Sequence, residues 1–264
     1  MIVTTGDFSS PHIKERARHT ADAFGYVFVE RCKQSLSRLT RKYGDDEFLV
    51  YTNDSVRYTQ LGVTELTYHP SMAFVRAKRI LAGESDSMIR ASGATCGDEV
   101  LDCTAGFAAD ALVFSIAVGA AGRVVALESE PSLFTLVHEG LQLYESDVVE
   151  VNEAMRRIEL QRADHSQKLK SMPDRSMDIV YFDPMFREPV THSSAFNPMR
   201  TMANHEALSR QAIAEAMRVA RKRVVMKELR NSSEFARLGF NRVVQTGSKL
   251  AYGVIDIADN IIVK

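Results

Sequence analysis

The sequence predicts an α/β fold: a mostly parallel sheet that finishes in an antiparallel hairpin, preceded by a small α/β module. Three observations lead there. From residue 99 onward, β-branched apolar runs alternate with helical stretches, the pattern of right-handed crossovers between parallel strands. The last two apolar runs, 241–246 and 251–257, are joined by only Gly247-Ser248-Lys249-Leu250. So short a link cannot carry a crossover, so these two strands must pair antiparallel. Residues 1–91 lack the regular alternation and read as a separate small module, leaving 92–264 as the larger domain.

The module begins with a short strand at 2–4 and a polar turn at 6–10. A helical stretch follows at 11–24, then a β-branched and aromatic run at 26–29, then a second helix at 35–43. Runs at 48–51 and 56–59 flank Thr52-Asn53-Asp54-Ser55 and predict a hairpin. In the larger domain, strands are expected at 99–103, 123–128, 158–162, 177–182, 223–227, 241–246 and 251–257. Helices are expected at 108–118, 132–144, 148–157, 205–220 and 232–238.

Composition bounds the function classes. With 264 residues, 45% hydrophobic and 25% charged, the chain can bury a substantial core without disulfides or structural metal. A net charge of −1 argues against a uniformly basic nucleic-acid binder and leaves only local patches for phosphate. Cys32, Cys96 and Cys103 form no C-x-x-C pair and no zinc spacing, so no metal is expected and a reducing compartment is. The N-terminus has no signal-peptide pattern, and the longest nearly apolar stretch, 111–122, is too short to span a bilayer. The expectation is a cytoplasmic protein with no membrane partner.

Four motifs carry chemistry. The first is Asp102-Cys103-Thr104-Ala105-Gly106-Phe107, a strand running into a turn of mostly small residues before a helix. Ligands of open α/β sheets bind at such turns. Gly106 admits close backbone approach, and Asp102 can position a ligand through the turn. An ordinary strand-to-helix turn is the competing reading. The second is Glu128 at the end of the next strand, placed to accept hydrogen bonds from both hydroxyls of a ribose. A solvated strand-end glutamate would look the same. One glycine in the turn, where a dinucleotide site has three, favours S-adenosyl-L-methionine, which has no pyrophosphate to cradle. The third is Asp164-His165 after the third strand, within reach of an adenine or simply a helix N-cap.

The fourth, Asp183-Pro184-Met185-Phe186, ends a buried strand. It resembles the Asp/Asn-Pro-Pro-Tyr/Phe signature of methyltransferases acting on exocyclic amino groups. Asp183 and the Pro184 carbonyl supply acceptors that orient an aromatic amine, and Phe186 supplies a stacking face.

These stretches resemble the ribosomal RNA small-subunit methyltransferase J family. The match is carried by Arg76-Ala77-Lys78, Asp102 to Gly106 with Asp110-Ala111, Leu127-Glu128, Asp183 to Phe186, Met199-Arg200, and Arg221 through Lys227. The resemblance implies a Rossmann-like class I methyltransferase fold and methyl transfer to guanine N2 of small-subunit ribosomal RNA. It implies cofactor contacts at Ala109, Asp110, Glu128, Ser129, Asp164, His165 and Asp183. The family turn usually reads Gly-x-Gly-Arg-Asp, whereas this chain reads Gly106-Phe107-Ala108-Ala109-Asp110.

Basic groups at Arg76, Lys78, Arg200 and Lys227 suggest phosphate contacts beside the pocket. Between His12 and Lys42 there are eight Lys/Arg against three Asp/Glu, and Arg218, Arg221, Lys222 and Arg223 precede the fifth strand. Convergence of these groups on Asp183 would favour an RNA substrate; solvated helix faces are the plainer reading. Three other functions compete: an amino-methyltransferase for another nucleic acid or a small molecule, a catalytically silent cofactor-binding module, and an NAD-dependent oxidoreductase.

Overall fold

The computed structural model of the protein describes residues 1–184 and 207–257. They form two compact units.

The first unit comprises residues 1–69 and 130–146. Its elements are β1 (Ile2–Thr5), α1 (Pro11–Phe24), β2 (Val27–Phe28), α2 (Leu36–Tyr43), β3 (Glu47–Tyr51), β4 (Val56–Gln60) and β5 (Thr64–Thr67). The sheet order is β2-β1-β3-β4-β5. β1 runs parallel to β2 and β3, and the expected hairpin is the antiparallel pair β3–β4. Helix α1 starts where Ser10 accepts the Ile13 N–H and Pro11 supplies a preset φ at the first turn. Ile2, Val29, Leu39, Phe48 and Val50 form one hydrophobic cluster of the unit.

The second unit comprises 70–129, 147–184 and 207–257 among the described residues. It holds α3 (Ser71–Leu81), α4 (Ser87–Ser92), β6 (Glu99–Asp102), α5 (Ala109–Val118) and β7 (Arg123–Glu128). After a further helix of the first unit, α6 (Pro131–Leu143), come α7 (Val149–Arg156), β8 (Ile158–Arg162), α8 (His165–Ser171) and β9 (Met177–Phe182). The chain closes with α9 (Arg210–Val219), β10 (Ala220–Leu229), α10 (Glu234–Leu238), β11 (Arg242–Gln245) and β12 (Leu250–Asp256).

The seven strands are ordered β11-β12-β10-β9-β6-β7-β8. The five from β10 to β8 are parallel, and β12 pairs antiparallel with both β10 and β11. This is the Rossmann-like sheet with a terminal hairpin that the sequence predicts. Its order reverses between β6 and β9. The chain builds outward through β7 and β8 on one side, then returns to lay β9 and β10 on the other. The two crossovers therefore diverge and leave a crevice at the carboxyl ends of β6 and β9. Helix α5 is largely enclosed, with Leu112, Val113 and Phe114 fully buried. Each such side chain contributes about 1.5–3 kcal/mol relative to exposure.

The compact units divide at 69/70, where the sequence predicts 91/92. Helix α3 packs against α5, and α4 against β10 and β12, which commits residues 70–91 to the larger unit. Residues 130–146 belong with the first unit, where Arg16 pairs with Glu139 and the Tyr26 hydroxyl meets Thr135. Neither split shows in local sequence, because both depend on which surface a helix finds. Among the described residues, no helix is long and apolar enough to cross a membrane.

Candidate active site

The crevice is built from the ends of three adjacent strands. At the end of β6, Asp102 turns back on its own loop, where Oδ1 accepts the Thr104 N–H at 3.0 Å. Thr104 Oγ1 then accepts the Asp183 N–H at 2.6 Å, across to the end of β9. That bond ties two segments 79 residues apart and fixes the first residue of the Asp-Pro step. From the other side, Glu128 at the end of β7 accepts the Gly106 N–H at 3.0 Å. The glycine turn is thereby held between the two neighbouring strands.

Gly106 has φ +51°, and apart from its chain neighbours no heavy atom of the described residues lies within 4 Å of where a side chain would begin. Such a glycine admits close approach of a ligand to the backbone. Two positions on, Ala108 takes φ +56°. This left-handed conformation suits glycine, the residue the related turn usually has there.

Asp110, in the first turn of α5, is the hub of a buried ion network. Its Oδ1 accepts from Arg76 at 2.5 Å. Its Oδ2 accepts from the Lys227 ammonium at 2.9 Å and from the Tyr181 hydroxyl at 2.7 Å. Lys227 also donates to Asp183 Oδ2 at 2.6 Å, and Arg76 holds Asp86 through two nitrogens, at 2.8 and 2.9 Å. The register explains the meeting. Val225 pairs with Tyr181 and Met226 with Phe182, so Tyr181, Asp183 and Lys227 share one face of the sheet.

Electrostatics follow from burial. Burial pushes Asp102 up to about 8; the Thr104 N–H opposes this, while the neighbouring Asp110 and Asp183 charges add to it. Burial also works to raise Asp110, but Lys227 and Arg76 outweigh it and hold that carboxyl below its usual range. Asp183 lies above its usual range, because burial and the Asp110 charge exceed the pull of Lys227. Burial works to lower Lys227, yet the two carboxylates keep it raised.

The remaining expected residues fall as follows. Ala105, Phe107 and Ala109 lie on the glycine turn and the start of α5, and Ser129 directly follows β7. Asp164 is the N-cap of α8, accepting the Gln167 N–H at 3.1 Å, and His165 sits edge-on to Phe182. Pro184 ends the described strand edge, while Met185, Phe186 and Arg200 lie outside the described residues. Lys78 is exposed, its ammonium 5.4 Å from the Phe74 ring centroid.

Arg76 and Lys227 are directed inward to carboxylates, which takes up the charge that the sequence offers to phosphate. Arg218, Arg221, Lys222 and Arg223 do not converge on Asp183. They lie near the opposite end of β10 and pair with Asp174 and Glu215, Asp178 and Glu99, Asp98, and Asp256. Sequence reading missed Tyr181 and Asp86. Tyr181 stands two residues before Asp183 on the strand, which alone assigns it the same face. Among the described residues, no group of three or more His, Cys, Asp and Glu could hold a metal ion.

A reversing parallel sheet with a terminal hairpin, a single-glycine turn open to a ligand, and an acid at the end of β7 define a class I S-adenosyl-L-methionine-dependent methyltransferase. The comparisons agree. The chain belongs to the family described as "Putative SAM-dependent methyltransferase", whose model matches residues 38–248. A Bacillus subtilis relative described as "Uncharacterized protein YpiP" is 38% identical over 254 residues, spanning 96% of this chain and 98% of that one. "Ribosomal RNA small subunit methyltransferase J" of Hydrogenovibrio crunogenus is 27% identical over 169 residues, covering 62% of this chain and 60% of its own. A solved SAM-dependent methyltransferase from Neisseria gonorrhoeae shares the fold at TM-score 0.63 and 20% identity, over 98% of this chain and 97% of its own.

Proposed function

We propose that this methyltransferase acts on RNA, transferring the methyl group to an exocyclic amine, guanine N2 of small-subunit ribosomal RNA. The observation that carries this reading is Asp183-Pro184 at the mouth of the crevice, with one Asp183 oxygen on Lys227 and its backbone tied to Thr104. Among the described residues Asp183 Oδ1 has no hydrogen-bond partner, so it is available to a substrate N–H. The likeness to the ribosomal RNA methyltransferases supports the substrate class.

In this reading Glu128 accepts from the ribose hydroxyls and Asp164-His165 face the adenine. The turn from Asp102 through Thr104, Ala105, Gly106 and Phe107 to Ala109-Asp110, with Ser129, lines the rest of the cofactor site. The cofactor supplies an electrophilic methyl group on a sulfonium. A guanine amine is a weak nucleophile because its lone pair is delocalised into the ring. As the N–C bond forms, the S–CH3 bond breaks and leaves a neutral thioether; the amine proton becomes acidic only then and passes to the Asp183 carboxylate or water, so no strong base is required beforehand. The protein's contribution is orientation and electrostatics. Asp183 Oδ1 and the Pro184 carbonyl accept the amine N–H groups and aim the lone pair. The Asp183 charge favours the positive charge developing on nitrogen. Phe186 and Met185 are assigned to the base, and Lys78 and Arg200 to the substrate strand.

Arg76, Lys227, Asp110 and Tyr181 act as positioning residues. They set where Asp183 stands and the field it works in.

The test is incubation with methyl-labelled cofactor and separate pools of undermodified 30S subunits, naked ribosomal RNA, tRNA and DNA, with the modified nucleoside identified by mass spectrometry. Label on N2-methylguanosine in small-subunit RNA supports the reading. Label on another base position, or only on a small molecule, removes it.

A further inference from the structure

Methyl transfer beside Asp183 assigns no role to three cations of the first unit. Helix α2 carries Arg38, Arg41 and Lys42 three and four residues apart, hence on one side of the helix. All three are exposed, and no carboxylate among the described residues pairs with them. Their neighbours differ: Lys14 pairs with Glu30 and Arg16 with Glu139. The helix dipole accounts for Arg41 and Lys42 in the last turn, but not for Arg38. Like charges at these spacings repel and weaken a helix. Such an arrangement is favoured by an anion bound from outside.

With Cys32 and Gln34, the three cations line an open groove of about 880 Å³, and no acidic residue among the described residues lines it. The turn leading into α2 has an unusual backbone. Cys32 and Lys33 take φ +47° and +61°, consecutive left-handed conformations without glycine. The Gln34 N–H to the Arg31 carbonyl and Arg31 Nε to the Gln34 carbonyl, both at 2.9 Å, hold this shape. The Lys33 N–H donates to Asp7 at 3.1 Å. Phe8, next to Asp7, is 90% exposed, and the Lys42 ammonium lies 5.1 Å from the centroid of the half-exposed Tyr43 ring. A cation beside a partly exposed aromatic ring is what a single-stranded nucleic acid uses for its backbone and its bases.

We infer that this groove docks the phosphodiester backbone of the RNA substrate, with Arg38, Arg41 and Lys42 as phosphate contacts. The inference rests on the RNA reading above and gives the first unit a substrate-holding role.

The test compares the full-length protein with a variant carrying Arg38→Gln, Arg41→Gln and Lys42→Gln. A control carries Arg79→Gln, Arg123→Gln and Lys249→Gln, which removes equal charge elsewhere. The probe is an unmodified small-subunit rRNA transcript, titrated across salt concentrations. The groove variant should bind more weakly, with the log–log salt slope reduced by roughly 2 for three lost contacts. Its KM for RNA should rise while kcat at saturating RNA and affinity for S-adenosylhomocysteine stay at wild-type values. The control should keep the wild-type slope. RNA should also slow maleimide labelling of exposed Cys32 and leave exposed Cys96 unchanged.

If the wild type methylates RNA but the groove variant keeps its slope and KM, the docking site is overturned and the RNA reading stands. If the wild type methylates no RNA, both fall. Binding to phosphatidylglycerol vesicles with none to RNA also overturns the docking site.

Discussion

The two units hold similar side chains in opposite situations. In the second, Arg76 and Lys227 are largely buried and every charge has a partner, in a network running Asp86, Arg76, Asp110, Lys227, Asp183. In the first, Arg38, Arg41 and Lys42 are exposed, with no carboxylate among the described residues pairing with them. The internal cations fix geometry, because moving either one strands a buried carboxylate. The external ones hold little structure and are available to a partner. A count of Lys and Arg along the chain does not separate these roles; the position of the carboxylates does.

The sharpest test of that contrast is stability. Lys227→Met leaves Asp110 and Asp183 facing each other without their shared cation and should destabilise the fold by about 3–5 kcal/mol. The triple change on α2 should stay within about 1 kcal/mol of wild type. Urea unfolding of both variants checks this, and equal losses would break the comparison.

Asp183→Ala should lower the single-turnover rate of methyl transfer by at least ~100-fold, as for loss of one positioned polar group. Asp183→Asn should retain more activity, since an amide oxygen still accepts. Near wild-type turnover in Asp183→Ala would remove this residue from the mechanism. Glu128→Ala should weaken S-adenosylhomocysteine binding by about 1–3 kcal/mol in calorimetry, through loss of charge-assisted hydrogen bonds. An unchanged affinity would move the ribose elsewhere.

Asp102 gives a pH signature. Its carboxyl titrates near 8 in the folded chain against an ordinary value of 3.8, so between those values the folded state holds the proton more tightly than the unfolded one. Its stabilising contribution is complete below about pH 4 and is lost as pH rises toward 8, with a slope of at most ~1.4 kcal/mol per pH unit. Unfolding midpoints from pH 5 to 9 should fall less steeply in Asp102→Asn than in wild type. Identical slopes would contradict the assignment.

The smallest effect concerns Ala108. Ala108→Gly relieves a left-handed backbone but gives up a buried methyl group and adds freedom to the unfolded chain. The net gain should not exceed ~1 kcal/mol. A loss of more than that would mean the methyl group, not the backbone, dominates at this turn.

Much of the fold was legible because it is written locally. Strands 123–128 and 177–182 fall where the apolar runs lie, 158–162 begins with the alternation Ile-Glu-Leu-Gln, and the four-residue link at 247–250 is enough to demand the terminal hairpin. Helices α3 and α4 and strand β5 went unread, while α8 was read only through Asp164 as its N-cap. The order of the motifs, a glycine turn, a strand-end acid and an Asp-Pro strand end, was likewise visible, and with it the class of chemistry.

The sequence by itself determined the alternation of elements, the terminal hairpin and the identity of the residues at the strand ends. These depend on periodicity and turn chemistry within about ten residues. Only the tertiary structure decided that Lys227 faces Asp110 and Asp183, that Arg76 turns inward, and that Arg221 to Arg223 sit at the far end of β10. Those pairings join positions 34 to 117 residues apart in the crevice. Charge–charge energy falls with distance and rises with burial, and both quantities are set by strand register and helix packing, which no short stretch of sequence contains.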